Sequence, residues 1–281
     1  MLESILSPFK AKNKAWEMFF IGFLYFNVAV LLSLWVFKEY SSVVVLFFTV
    51  IAVLPLIYNI IKLEEEESSK YSSGLKSLAS HRKYFSIAMF LFAGIVVATA
   101  LWYIFSPASL IRTLFDAQIK TISGISITGN VSQNFSIFIL IFFNNLKVLI
   151  FCILFSFIYG SGAIFILTWN ASVIGVAIGY YIRIKITMIS SMTGFEYISH
   201  YFGAFAIGLT KYIIHGVPEI LSYFIGGLAG GIISVGIIKR EFKDYKFSRI
   251  IFDASNLIIL AIIILVIAAV LEAYVTPRVF S

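Results

Sequence analysis

The chain has 281 residues, of which 60% are hydrophobic and only 12% are charged, and it carries a net charge of +7. Its mean hydropathy of +0.99 excludes a soluble globular domain of ordinary composition. Because the excess of Lys and Arg is expected to orient the chain in a membrane, binding to nucleic acid is not expected.

Seven apolar segments predict transmembrane helices, since each is close to the roughly 20 residues that cross a bilayer. Four of them contain no Asp, Glu, Lys or Arg, and these are residues 18–37, 43–61, 84–105 and 163–182. The other three contain or border ionisable residues, and these are 135–159 with Lys147, 217–238 with Glu219, and 251–271 with Asp253 inside and Glu272 directly after it. The sequence therefore predicts an all-α, polytopic transmembrane helix bundle.

Basic residues are concentrated in the segments that the predicted spans place on one side of the membrane. These segments are residues 10–14, 62–83 and 239–249. Positively charged loops stay in the cytoplasm. We therefore expect a multi-pass protein of the cell membrane with a cytoplasmic N-terminus and an external C-terminus.

The chain is predicted to divide into three parts. Residues 1–62 form a transmembrane hairpin, residues 63–83 form a charged cytoplasmic linker, and residues 84–281 form the core bundle. The linker starts with the acidic run Glu64 to Glu67, which we interpret as a solvated loop. The hairpin is then an accessory module separated from the later spans.

A helix break is predicted at His215-Gly216-Val217-Pro218-Glu219. Gly adopts backbone angles that end a helix, and Pro suits the first turn of the next one. The prediction is a broken or re-entrant helix near His215, entered by a half-helix over residues 202–214. Irregular backbone at membrane depth must be packed in protein or face water.

The segment 106–134, between the third and fourth predicted spans, is polar and predicted to lie on the outer side. It contains two N-glycosylation acceptor patterns, at Asn130 and Asn134. We expect both to be unmodified.

Polar side chains interrupt the predicted spans. Asn144, Asn145 and Lys147 lie in the fourth and Asn170 in the fifth. Because such groups are costly in lipid, a functional site is the default hypothesis, with Lys147 paired to Glu219 or to Glu272. The alternative is structural: Asn144 and Asn145 form interhelical hydrogen bonds, and Lys147 extends toward the interface or pairs with one carboxylate.

A metal site is the weakest hypothesis for these residues. His215 and Glu219 are four residues apart, as are Glu196 and His200, so each pair would share one face of a continuous helix. The chain contains no HExxH, GxSxG or GxxxxGK[ST] pattern. No cofactor and no enzymatic activity are therefore expected.

Small residues are spaced for close helix packing. Gly175 and Gly179 in the fifth span, and Gly226, Gly227, Gly230 and Gly231 in the sixth, allow helix backbones to approach each other in lipid. These faces permit a homo-oligomer without requiring one.

Several stretches over residues 135–277 together resemble the stage II sporulation protein M (SpoIIM) family. They are Asn144-Asn145-Leu146-Lys147, the turn 160–162, Asn170 with Gly175, His215-Gly216 with Glu219, and the run 268–272 that ends in Glu272 before Thr276-Pro277. The resemblance implies an integral membrane protein without known catalytic activity, whose sporulation member works in an engulfment complex with cell-wall hydrolases. Relatives also occur in organisms that do not sporulate, so a sporulation role is not carried over.

The leading hypothesis is therefore a scaffold or assembly factor for a membrane complex, with Asn144, Asn145, Lys147, Asn170, His215, Gly216, Glu219 and Glu272 as its functional polar core. Its expected partners are the lipid bilayer and other membrane or cell-surface proteins. The second hypothesis is a transporter or channel with its site at the broken helix. The third is an intramembrane metal-dependent hydrolase.

Overall fold

The computed structural model describes residues 14–68, 81–125, 134–159, 162–188, 194–238 and 245–279. The described residues form helices without a strand. The helices are α1 (Glu17–Val36), α2 (Ser41–Ser68), α3 (Arg82–Phe105), α4 (Ala108–Ile125), α5 (Asn134–Tyr159), α6 (Ala163–Met188), α7 (Gly194–Ile238) and α8 (Tyr245–Val270). Helix α8 continues through the π-helical turn Leu271–Val275 into a last short helix, α9 (Thr276–Val279).

Seven of these helices are long and apolar enough to cross a membrane within the described part of the chain. They are α1, α2, α3, α5, α6, α7 and α8, each at the place where the hydropathy of the sequence predicts a span. The all-α transmembrane bundle is confirmed. The protein is thus a polytopic membrane protein.

The segment 106–134 was predicted to be a polar stretch outside the membrane spans, but it contains helix α4. Its side chains Ile111, Leu114 and Phe115 are buried, and the helix packs against α2 and α6. The Gln118 amide donates hydrogen bonds to the Ser42 carbonyl oxygen (3.2 Å) and to Ser172 Oγ (3.3 Å). The spacing of these residues at three and four positions was the signal for an amphipathic helix. Asn130, and the side chain of Asn134, lie outside the described residues.

The predicted break near His215 is wrong. Helix α7 runs without interruption from Gly194 to Ile238, with Pro218 inside it. Pro218 cannot donate a hydrogen bond to the Ile214 carbonyl, but membrane bundles tolerate such prolines because neighbouring groups satisfy the freed backbone. The 45-residue helix is about 68 Å long, which exceeds the thickness of a bilayer. The predicted half-helix 202–214 is part of this one element.

The N-terminal hairpin packs directly against the later helices. Helix α1 lies along α3, and α2 contacts α4, α6 and α7. The backbones of α1 and α3 touch at two glycines, since a Cβ at Gly22 would collide with the Leu91 carbonyl oxygen and a Cβ at Gly94 with that of Phe19. The interface therefore depends on these two positions being glycine.

The glycines of the fifth and sixth predicted spans also lie at helix contacts. A Cβ at Gly175 would lie 2.6 Å from Thr99 Cβ, and one at Gly179 would lie 2.8 Å from Tyr103 Cβ. Gly226 and Gly230 face Leu149 and Ile153 of α5, and Gly227 faces Ala163 of α6. The predicted close packing is confirmed at these five positions.

The end of α3 is held by a basic side chain of α6. Arg183 donates hydrogen bonds through Nη1 to the carbonyl oxygens of Tyr103 (3.2 Å) and Ser106 (2.7 Å). Cationic side chains at a helix C-terminus satisfy carbonyls that lack an intrahelical donor. This contact joins the two helices at the C-terminal end of α3.

Candidate functional site

Four of the predicted site residues lie together at one end of the bundle. Glu219 on α7 accepts a hydrogen bond from the Tyr223 hydroxyl at 2.9 Å, and Glu272 in the π-helical turn is near enough for the two carboxyl groups to interact electrostatically. One turn before Glu219, His215 Nδ1 lies 3.2 Å from Thr276 Oγ1. The C-terminal turn and α7 are therefore joined through polar side chains.

Gly216, the fourth of these residues, lines a cavity of about 170 Å³ between α3, α6 and α7. The walls of this cavity are apolar side chains such as Phe92, Ile174 and Ile220. A Cβ at Gly216 would meet no other atom within 4 Å. Gly216 therefore borders space, in contrast to the glycines at helix contacts.

The π-helical turn Leu271–Val275 widens the end of α8 where Glu272 lies. Such turns are rare and frequently occur at functional sites. Thr276, the residue that follows it, donates a hydrogen bond to the Leu271 carbonyl oxygen at 3.1 Å and also faces His215. The turn thus places Glu272 and Thr276 against the same helix, α7.

Asn170 does not join this cluster through a hydrogen bond. Its amide donates to the Ile166 carbonyl oxygen of its own helix at 2.8 Å. This bond satisfies one polar group locally, as Ser, Thr and Asn side chains often do inside helices. Among the described contacts, this hydrogen bond within α6 is the one that Asn170 forms.

The three polar residues of α5 point in different directions. Asn145 is buried, with 7% of its surface exposed. Asn144 and Lys147 are exposed, and the Asn144 amide reaches only Asn145 Oδ1, at 3.5 Å, which is at the limit of a hydrogen bond. The residues were predicted to act together, but two of them face away from the bundle.

The hypothesis that Lys147 pairs with Glu219 or Glu272 is wrong. Within the described residues, the ion pairs involve other groups, and Lys147 forms none. The reason is geometric: Lys147 is on the outward face of α5, whereas both carboxylates are at the contact between α7 and the C-terminal turn. The sequence shows which helix carries a polar residue. It does not show how that helix is rotated, and therefore not which neighbour the residue faces.

A second polar cluster, which the sequence did not predict, lies at the opposite end of the bundle. His81, directly before α3, places Nδ1 2.7 Å from Glu64 Oε2 of α2 and Nε2 3.1 Å from Asp253 Oδ2 of α8. Both Glu64 and His81 are fully buried, and Asp253 is 5% exposed. We call these three residues the His81 cluster.

The expected solvated loop at Glu64 is therefore wrong. Helix α2 continues to Ser68, and Glu64 lies at its buried side. The signal in the sequence was weak: one His directly before a span, one Glu at the end of the preceding span and one Asp near the start of the last span. Because His81 and Asp253 are 172 positions apart, only the tertiary fold brings these residues together.

The charge of His81 is stabilised in the folded protein. Burial alone lowers the pKa of His81, but the hydrogen bonds to Asp253 and Glu64, together with the charges of both carboxylates, outweigh burial and raise this pKa from 6.5 to about 9. Tyr84, in the first turn of α3, also lies near enough to Glu64 to interact with it electrostatically. The cluster is thus a positive group shared by two carboxylates.

This raised pKa predicts that the folded state loses stability at high pH. Because the folded pKa exceeds the unfolded value, the stabilisation is fully present below about pH 6.5 and is lost as pH rises through about 9. A rise of this size corresponds to roughly 3 kcal/mol. Thermal unfolding of the purified protein in detergent, measured between these two pH values, checks this prediction.

The matched variant for this titration is His81→Gln, which cannot take up a proton. We expect its unfolding temperature to change much less over the same pH range. An equal decrease in the wild type and in His81→Gln would show that other groups cause the pH dependence.

Metal ligation finds no support among the residues that the structure describes. No group of three or more His, Cys, Asp and Glu side chains is arranged there to hold an ion. The side chains of Glu196 and His200, which were the other half of the hypothesised site, lie outside the described residues.

Comparison with known proteins assigns the family. A family model described as Stage II sporulation protein M matches residues 86–277, which extends the resemblance over 135–277 back to α3 and leaves the N-terminal hairpin outside it. Searches of the curated proteins and of the solved structures found no match. The match contains His215, Glu219 and Glu272, but only Asp253 of the His81 cluster. Because the family model covers more than half of the chain, the chain belongs to the stage II sporulation protein M family.

Proposed function

We propose that this protein is an assembly factor that holds a partner protein against the outward face of α5 and performs no catalysis of its own. The observation that carries the proposal is the exposure of Asn144 and Lys147 in the middle of a transmembrane helix. Ionisable side chains at membrane depth almost always face a bundle interior or a water-filled cavity. A face that presents such groups to lipid is therefore incomplete in the isolated chain.

The depth of Lys147 supports this argument. The span of α5 is Phe135–Ile158, so Lys147 is about 17 Å along the helix from either end. A lysine near the end of a span can extend its charge to the interface, but Lys147 is at the centre. Desolvation in lipid at this position costs at least about 2.5 kcal/mol.

The remaining surface of α5 also supports a partner. Among the seven spans, α5 is the least buried: 17% of its apolar window is buried, compared with 83% for the span of α7. The exposed residues at spacings of three and four positions form one stripe along the helix, which we call the α5 stripe. It consists of Leu140, Asn144, Lys147, Phe151, Leu154 and Ile158.

A transporter or channel is the less well supported of the two hypotheses. It depended on a broken helix aimed at polar groups in the membrane, and α7 is continuous. The contact between His215 and Thr276, at 3.2 Å, instead joins α7 to the C-terminal segment, which fits a structural role in the bundle. Assembly therefore remains the function that the geometry supports best.

Site-specific photocross-linking in native membranes tests the proposal. A photoreactive amino acid at Phe151, on the α5 stripe, is compared with one at Ile263, on α8; the two side chains are 53% and 52% exposed. We expect an adduct with another polypeptide from Phe151 but not from Ile263. Absence of any protein adduct, or equal adducts from both positions, would refute assembly through the α5 stripe.

The variant Lys147→Leu completes this experiment. Because it removes a charge from lipid, it should leave folding intact and abolish the adduct from Phe151. Asn144→Leu should weaken the adduct to a lesser degree, since an amide is less costly in lipid than an ammonium group.

A further inference from the structure

We propose that the partner on the α5 stripe is a transmembrane helix of a different protein, carrying an Asp or Glu at the depth of Lys147. This inference rests on the proposed function and names the chemistry of the occupant. Asn144 and Lys147 are three positions apart on one face of α5, so both side chains can reach the same group on a facing helix. A carboxylate accepts hydrogen bonds from the ammonium and from the amide.

The described residues of the chain do not provide this carboxylate. Glu17 and Glu39 lie at the starts of the first two spans. Glu64 and Asp253 are buried in the His81 cluster at one end of the bundle. Glu219 and Glu272 lie near the other end, six and three residues inside their spans. No carboxylate of the described residues is therefore exposed at the depth of Lys147.

A second copy of the chain is also a poor occupant. In a symmetric dimer, the same surface patch meets itself. An axis perpendicular to the membrane would place Lys147 opposite Lys147 at equal depth, and two like charges in lipid repel each other strongly. A dimer through any other described face would again lack a carboxylate at this depth.

An anionic lipid headgroup does not reach the site. The headgroups lie at the ends of the roughly 30 Å hydrocarbon region, whereas Lys147 is near the middle of its span. The complementary charge must therefore come from a polypeptide that crosses the membrane.

The test uses full-length protein in vesicles of neutral phosphatidylcholine. The probes are Leu-rich transmembrane peptides whose central residue is Glu, Gln or Leu, and association is measured by fluorescence energy transfer. We expect the Glu peptide to bind about tenfold more tightly than the Leu peptide. The preference should disappear in Lys147→Leu and persist in Ile263→Leu, a change on the exposed face of α8 outside the stripe.

A charge exchange makes the test specific. The variant Lys147→Glu should no longer bind the Glu peptide and should instead bind a peptide whose central residue is Lys. Equal binding of the Gln and Glu peptides by the wild type would overturn the inference, because hydrogen bonding alone would then explain association. Equal competition by added anionic phosphatidylglycerol would overturn it in favour of a lipid.

The two proposals fail in different ways. If the Glu peptide shows no preference while an adduct with another protein forms, the inference about the partner is wrong and assembly stands. If the Phe151 adduct contains only this chain, or if no adduct forms, assembly through the α5 stripe is wrong.

Discussion

Replacing His81 with alanine should destabilise the protein by roughly 3–5 kcal/mol, the cost of removing one partner from a buried ion pair. His81 lies between Glu64 and Asp253, at 2.7 and 3.1 Å. Its removal leaves two carboxylates in a buried site without the positive group that they share. We expect a large decrease in the unfolding temperature in detergent and a low yield of folded protein.

Two comparisons separate this charge effect from the loss of a side chain. His215→Ala removes a half-buried histidine that contacts the Thr276 hydroxyl, and losing a hydrogen bond of this kind costs about 1 kcal/mol. The triple variant His81→Leu, Glu64→Gln and Asp253→Asn removes all three charges and should recover much of the stability. If the triple variant is as unstable as His81→Ala, packing of the imidazole rather than charge explains the effect.

Replacing Gly94 should weaken the contact between α1 and α3. An added Cβ would collide with the Phe19 carbonyl oxygen and lie 2.8 Å from the Phe23 nitrogen. Because both are backbone atoms, no side-chain rotation relieves the collision. Overpacking of this kind costs roughly 1–3 kcal/mol for Gly94→Ala, and Gly94→Val should cost more.

Gly216→Ala is the matched control for this variant, since its Cβ would meet no other atom within 4 Å. Alanine also has the higher helix propensity, so this variant should be neutral or stabilised by up to about 1 kcal/mol. Thermal unfolding of both glycine variants in detergent shows whether the added Cβ destabilises the protein at position 94 only. A similar change in Gly94→Ala and Gly216→Ala would mean that the contact adapts to the added carbon.

The helix break illustrates how local preference and tertiary context compete. Gly216 and Pro218 favour a helix end in water, where the freed backbone groups can bind solvent. In α7 the same residues lie inside one continuous helix, because ending a helix within a membrane leaves backbone groups unsatisfied. The sequence contains the breaking residues but not the surroundings that override them.

Charged residues show a second kind of ambiguity. Glu64 begins an acidic run that is typical of a solvated loop, yet it is buried against His81. Lys147 lies in an apolar segment and was expected to find an internal partner, yet it is exposed on α5. In both residues, the rotation of the helix decides whether the charge faces protein or the surroundings, and composition does not encode that rotation.

The sequence by itself determined the membrane class, the seven spans, the small-residue contacts and the family. These properties depend on windows of about 20 neighbouring residues and on glycine spacing, so they can be read locally. Only the tertiary structure decided the continuity of α7, the packing of α4, the His81 cluster and the outward position of Lys147. Each of these depends on which distant helix lies opposite a residue, because the free energy of a buried or exposed charge is set by the group that faces it.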